Sequence, residues 1–288
     1  MKAQTYSFEA ANVRHEHEWR VWQNAKLPPG KMLMPGVVSH ATSLVEHPQL
    51  VADRILRYAA IVGRENVIAG TDCGLGGRVH ADLAWAKLRT LADALREEYR
   101  AVVAAGLILQ IDDPGLPDWW DMLKPEPSVE AYRQFARRRI DAVNHALAGI
   151  PEERVRYHLC WGSWHGPHTH DLPLKHIIDL ILEVKAQTYS FEAANVRHEH
   201  EWRVWQNAKL PPGKMLMPGV VSHATNLVEH PQLVADRILR YAAIVGRENV
   251  VAGTDCGLGG RVHADLAWAK LRTLPEGARL ASQSLRPG

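Results

Sequence analysis

The feature that most constrains this chain is a long internal copy. Lys2–Leu91 returns as Lys185–Leu274 with two differences, Ser43 against Asn226 and Ile68 against Val251. Repeats of solenoids and propellers typically span about 20–50 residues and diverge. This copy is longer and nearly unchanged, so a recombination or gene-assembly event accounts for it better than a repeat architecture. Whatever structure the segment takes, the fold must accommodate it twice, on either side of a unique middle, Ala92–Val184.

Each copy reads as the same run of elements. In the first, Gln4–Ala10 has strand character and Lys31–Ser39 is a second apolar strand. Pro48–Val62 carries apolar residues at helical spacing and stops at Gly63. Asn66–Thr71 is a short apolar run that breaks at Asp72-Cys73-Gly74-Leu75-Gly76-Gly77, and a helix follows from about His80. The middle supplies a strand at Leu107–Ile111, an amphipathic helix at Ser128–Ala148, a strand containing His158 and a helix at Leu174–Leu182. Three strands, two strands and three strands make eight, alternating with helices, which is the pattern of a (β/α)8 TIM-like barrel. The reading is one barrel-like α/β domain over residues 1–288, with atypical first strands supplied by the duplicated segment. At the first junction the helical pattern runs from His80 to Ala105 with no cap or breaker, which predicts one overlong helix or a kink near Leu91.

The chain can bury a sizeable core at 288 residues. With 34 basic and 32 acidic residues and a formal charge of +2, it carries no basic stripe, and no nucleic-acid partner is expected. No apolar run reaches the roughly 20 residues of a membrane span, and Met1-Lys2-Ala3-Gln4-Thr5 lacks the apolar core of a signal peptide. The expectation is a soluble, cytoplasmic protein with no membrane partner. Three cysteines make no disulfide framework, so reduced thiols and metal ligation fit better beside sixteen histidines.

The sharpest chemical signal is Tyr157-His158-Leu159-Cys160-Trp161-Gly162-Ser163-Trp164-His165-Gly166. Val155-Arg156-Tyr157 reads as strand, and residues two apart on a strand share a face. The His158 ring and the Cys160 sulfur can therefore reach one cation. Isolated His and Cys residues also occur as ordinary core members, so the pair by itself leaves both readings open.

With His158-x-Cys160, Glu192, Thr254-Asp255-Cys256-Gly257-Leu258 and the strand end Gln110-Ile111-Asp112-Asp113-Pro114, the stretch from about Ala92 to Ala281 resembles the catalytic domain of cobalamin-independent methionine synthase. It is similar, by the same residues, to the zinc-dependent thiol alkyltransferases that share that barrel. The resemblance implies a Zn2+ held by His158, Cys160, Glu192 and Cys256. It implies a methyltransferase of methionine biosynthesis, moving a methyl group from methyltetrahydrofolate to the thiol of homocysteine. The physical chemistry agrees. A free thiol with a pKa near about 8.5 is mostly protonated at neutral pH, and coordination removes that proton. Methyl transfer from a tertiary amine also needs a proton on the leaving nitrogen, and His223 lies near where the family places its acid. Asp112, beside Gln110, resembles the carboxylate that receives the amino group of the substrate, and Asp118 falls where the family has an acidic folate contact.

Other conspicuous residues have blander readings. Trp119 and Trp120 offer a stacking face for a pterin but read as packing. His165, His168 and His170 follow a Gly-Pro break and read as a solvated loop, not a second metal site. Arg197-His198-Glu199-His200-Glu201 is either a support for Glu192 or an exposed helix start. Gly257-Leu258-Gly259-Gly260 lacks the Lys-Ser/Thr of a phosphate loop and reads as a turn that lets Cys256 approach a metal. The first copy repeats Glu9, His40 and Cys73 without a His-x-Cys strand before them, so these ligands are spare, and in a shared barrel Glu9 and Cys73 compete for zinc. The Gly-Ser-x-Pro-Arg-like opening of the family has no counterpart, and the Trp161–Trp164 insertion points to short relatives that use thiols such as coenzyme M. A coenzyme M-type alkyltransferase and a catalytically silent relative with structural or no zinc are the alternatives. A uroporphyrinogen decarboxylase type would need no zinc, and the ligand set argues against it.

Overall fold

The computed structural model describes residues 5–75, 78–123, 125–162 and 170–286. The first copy contributes β1 (Thr5–Phe8), a 3-10 turn at Glu16–Arg20, α1 (Val21–Asn24), β2 (Met32–Val38), α2 (Pro48–Val62), β3 (Gly70–Thr71) and α3 (Ala81–Ala104). The middle contributes β4 (Leu109–Asp112), α4 (Gly115–Met122), α5 (Val129–Ala146), β5 (Val155–Leu159) and α6 (Ile178–Ile181). The second copy returns as β6 (Thr188–Phe191), a 3-10 helix at Glu199–Gln206, β7 (Met215–Val221), α7 (Pro231–Val245), β8 (Gly253–Thr254) and α8 (Ala264–Ser284). Among the described residues all strand pairs are parallel, in the orders β1-β2-β3 and β4-β5-β6-β7-β8. The α/β class and the strand–helix alternation are those expected of a (β/α)8 fold.

The chain divides into two compact units, Met1–Ala101 with Ala142–Ala148, and Val102–Asp141 with Gly149–Gly288. In the first, α2 and α3 cover one face of β2, where Val37, Val38, Val51 and Ala94 are buried together with Ile55 and Leu91 against them. In the second, the same layer is Val220, Val221, Val234, Ala235, Ile238 and Ala281. Both repeated helices start in the same way. Proline follows a histidine whose ring nitrogen accepts from a backbone N–H, His47 from Gln49 and His230 from Gln232. Both end at a glycine with φ of +87°, Gly63 and Gly246, a left-handed turn that stops the helix.

Several expectations take a different form. The strand at 66–71 shortens to Gly70–Thr71, because Asn66 closes a 3-10 turn by donating from Nδ2 to the Val62 carbonyl (2.8 Å) and only Val67 bridges back to Leu33. The helix at 174–182 splits into a 3-10 turn, Leu174–His176, and the four-residue α6, since Ile177 leaves helical geometry at φ −133°. At the first junction there is one overlong helix, α3, unbroken over 24 residues. Helix α4, Gly115–Met122, adds to the elements expected from the sequence. His165 and His168 lie outside the described residues, and His170 is exposed, as a solvated loop requires. No helix among the described residues is long and apolar enough to cross a membrane.

One glycine per copy governs how the strands meet. The β7–β8 register shifts between Gly219 and Val221. A Cβ on Gly219 would lie 2.1 Å from Asp255 Oδ1 and 2.4 Å from the Asp255 Cα. The obstacle includes backbone, so it cannot swing away. Gly219→Ala is expected to lower stability by about 1–3 kcal/mol, read as a lower urea midpoint, whereas Gly259→Ala, with nothing within 4 Å of its Cβ position, should leave the midpoint unchanged.

Candidate metal centre

The site is assembled at the C-terminal ends of β4 to β8. His158 is the fourth residue of β5 and Cys160 follows the strand. Glu192 follows β6, His223 lies two residues beyond β7, and Cys256 lies two beyond β8. All five are buried. The expected ligands meet around Cys256. Its sulfur is 3.7 Å from His158 Nε2 and 3.6 Å from Glu192 Oε1. Ligand atoms of His158, Cys160 and Cys256 all lie within 4.8 Å of one another, as do those of Glu192, His223 and Cys256. His223 therefore shares the cluster with Glu192 and Cys256.

Backbone architecture accounts for this convergence. The buried Asp255 carboxylate accepts through Oδ1 from the N–H groups of Ala193 (2.7 Å) and Ala194 (2.8 Å), which ties the chain beside Glu192 to the chain beside Cys256. Asp255 Oδ2 is buried with no hydrogen-bond partner, and burial pushes this carboxyl up to about 7. Arg237 donates to the carbonyls of Val220 (3.1 Å) and Ala194 (3.4 Å), linking β7 to the same segment. Glu229 accepts from Ser222 N (2.7 Å) and pairs with the fully buried Lys270 (2.9 Å), which fixes the loop that presents His223.

Each donor is also held from behind. Ser190, the register partner of His158, lies 3.0 Å from His158 Nδ1 and leaves Nε2 facing Cys256. Glu192 accepts from Trp161 N (3.3 Å) and from Asn195 Nδ2 (2.9 Å). Trp161 stacks on the His198 ring at 3.8 Å, and His198 lies between Asp171 Oδ2 (3.2 Å) and Glu201 Oε2 (3.1 Å). The Arg197–Glu201 stretch is thus not simply an exposed helix start, because His198 and Glu201 are buried and support the Glu192 side of the site.

The electrostatics describe a pocket short of positive charge. A hydrogen bond from Cys256 lowers the Cys160 thiol, and the same bond with burial raises that of Cys256. Burial, followed by the charge on Cys160, raises Glu192. Burial opposes a charge on His158, but its hydrogen bond to Cys160 and that thiolate's charge outweigh it and raise the histidine. Buried charges require a partner or a metal. The donor set fits zinc, which takes Cys sulfur, His nitrogen and carboxylate oxygen in tetrahedral geometry. With bond lengths of about 2.0–2.3 Å, neighbouring corners of that tetrahedron lie about 3.3–3.8 Å apart, and the 3.7 and 3.6 Å separations around Cys256 fall among those edges.

A cavity of about 430 Å³ opens onto this cluster, with Gln110, Asp112, Asp118, Arg156, His158, Cys160 and Cys256 in its wall. Gln110 Oε1 accepts from Arg156 Nε (2.5 Å) and its Nε2 donates to Asp112 Oδ1 (2.6 Å), leaving Asp112 an exposed, oriented carboxylate. Asp113 is the buried partner of the pair, taken up by Tyr157 OH (3.1 Å) and Arg139 (2.5 Å). Trp120 packs edge-on against Tyr132 at 5.2 Å as expected, whereas Trp119 is 45% exposed. A larger groove of about 710 Å³ beside α6 brings together no Cys or His side chains, so the chemistry belongs to the smaller pocket. Ser190, Asn195, Trp161 and Asp255 carry positioning roles that the sequence reading did not assign. For Asp255 the available signal was its place inside the Thr-Asp-Cys motif.

This fold and site define a parallel α/β enzyme scaffold with a sulfur-rich cluster at its strand ends. Residues 77–279 match the catalytic domain of the cobalamin-independent synthases, and the chain belongs to that family. It is 25% identical over 221 residues to 2-hydroxypropyl-CoM lyase of Xanthobacter autotrophicus, a match that covers 68% of this chain and 54% of that protein. The chain therefore spans about half the length of this curated relative. A B12-independent methionine synthase from a Shewanella species, solved with selenomethionine, superposes with a TM-score of 0.55 at 18% identity, over 94% of this chain and 67% of the other, and supports the barrel fold class.

The support behind Glu192 has a pH signature. His198 is raised from 6.5 to about 9, burial opposing its charge while Asp171 and Glu201 more than compensate. A folded-state value above the unfolded one means the stabilisation is complete below about pH 6.5 and is lost as pH rises through about 9. In urea unfolding, the gap between wild type and His198→Gln should be on the order of 2–3 kcal/mol below pH 6.5 and should close towards pH 9 and above.

Proposed function

We propose that the chain is a zinc-dependent alkyltransferase with a thiol acceptor, of the methionine-synthase kind. The observation that carries this reading is the pair of separations around Cys256, 3.7 Å to His158 and 3.6 Å to Glu192, together with the Cys160 thiol beside them. His158, Cys160, Glu192 and Cys256 would hold the ion. Zinc bound there supplies the Lewis acidity that keeps an incoming thiol deprotonated at neutral pH.

The chain's own residues do the rest. Ser190 orients His158, and Asn195 with the Trp161 N–H orients Glu192, so the donors are preorganised. Asp112, steadied by Gln110, receives the ammonium group of a homocysteine-like acceptor at the cavity mouth. Asp118, on the same wall, faces the methyl donor, a methyltetrahydrofolate or similar N-methyl compound. As the acceptor's S–C bond forms and the donor's N–C bond breaks, the electron pair stays on the nitrogen, and His223 delivers the proton that neutralises it. A second reading, a coenzyme M-type alkyl transfer on the same cluster, is favoured by the likeness to 2-hydroxypropyl-CoM lyase. It differs in what Asp112 and the cavity wall must recognise.

Metal analysis of purified protein beside a Cys160→Ser variant tests the centre. The Cys160→Ser protein should lose the tightly bound zinc and fall by at least about 100-fold in transfer rate. Turnover with homocysteine supports the first reading and turnover with coenzyme M the second. Well-folded wild-type protein without tight zinc rules out both.

A further inference from the structure

The first copy builds a cluster of its own. A ligand atom from each of Glu9, His40 and Cys73 lies within 4.8 Å of the other two. The frame beneath it reproduces that of the second copy. Asp72 Oδ1 accepts from Ala10 N and Ala11 N at 2.7 Å each, and Arg54 donates to the carbonyls of Val37 (3.0 Å) and Ala11 (3.2 Å). Glu46 accepts from Ser39 N (2.7 Å) and pairs with Lys87 (2.9 Å), which fixes the loop bearing His40. The differences lie in the donors. No His-x-Cys strand precedes this copy, and its three side chains are partly exposed where Glu192, His223 and Cys256 are buried. The Cys73 sulfur, without counterparts of His158 and Cys160, lies 2.9 Å from Glu9 Oε1, against 3.6 Å for Cys256 and Glu192. His40 Nδ1 is buried with no hydrogen-bond partner.

We propose that Glu9, His40 and Cys73 form a second, independent site for a borderline-soft divalent cation, with its fourth position open to solvent. The carboxylate, imidazole and thiolate donors suit zinc, cobalt or cadmium and not magnesium or calcium, which take oxygen alone. Entry of the ion displaces the proton between Cys73 and Glu9 and opens their contact towards a tetrahedral edge of about 3.6 Å. With three protein donors and partial exposure, the site binds more weakly than the β5–β8 cluster. It shares no residue with that cluster, so the two proposals fail separately.

Cobalt titration of the full metal-free chain, followed by thiolate-to-cobalt charge-transfer absorption, reads the count directly. Wild type should saturate at about two ions per chain, the second more weakly bound, while Cys73→Ser and His40→Ala should each saturate at about one. Cys160→Ser should abolish the tight event and keep the weak one. A check without substitution is also available. Alkylation at Cys73 and Cys256 can be scored separately, because the tryptic peptides ending at Arg78 and Arg261 differ in mass through Ile68 and Val251. Excess zinc should slow Cys73 alkylation at least about tenfold and chelator should restore it. Saturation of wild type at a single ion that Cys73→Ser still binds, or a Cys73 alkylation rate indifferent to zinc, overturns the proposal.

Discussion

The buried carboxylate after β8 is the interaction on which the site depends. By accepting from two consecutive N–H groups, Asp255 joins the segment after β6 to the segment after β8 and sets Glu192 3.6 Å from Cys256. This arrangement needs a strand that can approach without a side chain in the way, which is the function of Gly219. It also carries an electrostatic cost, since a buried carboxylate beside Glu192 and two thiols concentrates negative charge. Arg237 and His198 offset part of that charge from one side, and the donor geometry offers a place for a cation on the other.

The near-identical copies amount to a comparison within one chain. Their backbone frames agree, from the aspartate clamp to the buried Lys–Glu pair. Their side-chain environments diverge. Glu192 is 3% exposed and Ser190 5%, while Glu9 is half-buried and Ser7 exposed. His198 is buried between two carboxylates, whereas its counterpart His15 is partly exposed and pairs with Glu18 at 3.1 Å. What the second copy has, and the first lacks, is β5 hydrogen-bonded along its leading strand. That strand contributes His158 and Cys160 and brings in Trp161, which covers His198.

Much of the architecture was legible in the chain. The helix Pro48–Val62 and its copy Pro231–Val245 occupy the limits their His-Pro starts and glycine stops dictate. The strands at the start of each copy and around His158 follow from apolar runs broken by turn residues, and the unbroken junction helix from the absence of any breaker. The strands at Gly70–Thr71 and Gly253–Thr254 are shorter than their apolar runs imply, because their ends are decided by a 3-10 turn and a register shift with the neighbouring strand. Local sequence carries neither.

The sequence by itself determined the residue types of the centre and their attachment to strand ends. The His-x-Cys spacing, the Thr-Asp-Cys turn and the repeated Glu and His are local facts that survive any folding route. The resemblance already paired His158 with the second copy of Glu, His and Cys, but tertiary structure alone decided that those side chains are buried while the first copy's stay partly open. Two segments of almost the same sequence cannot differ through their own propensities. They differ because burial and hydrogen bonding are properties of neighbours, and only one of the two segments has β5 beside it.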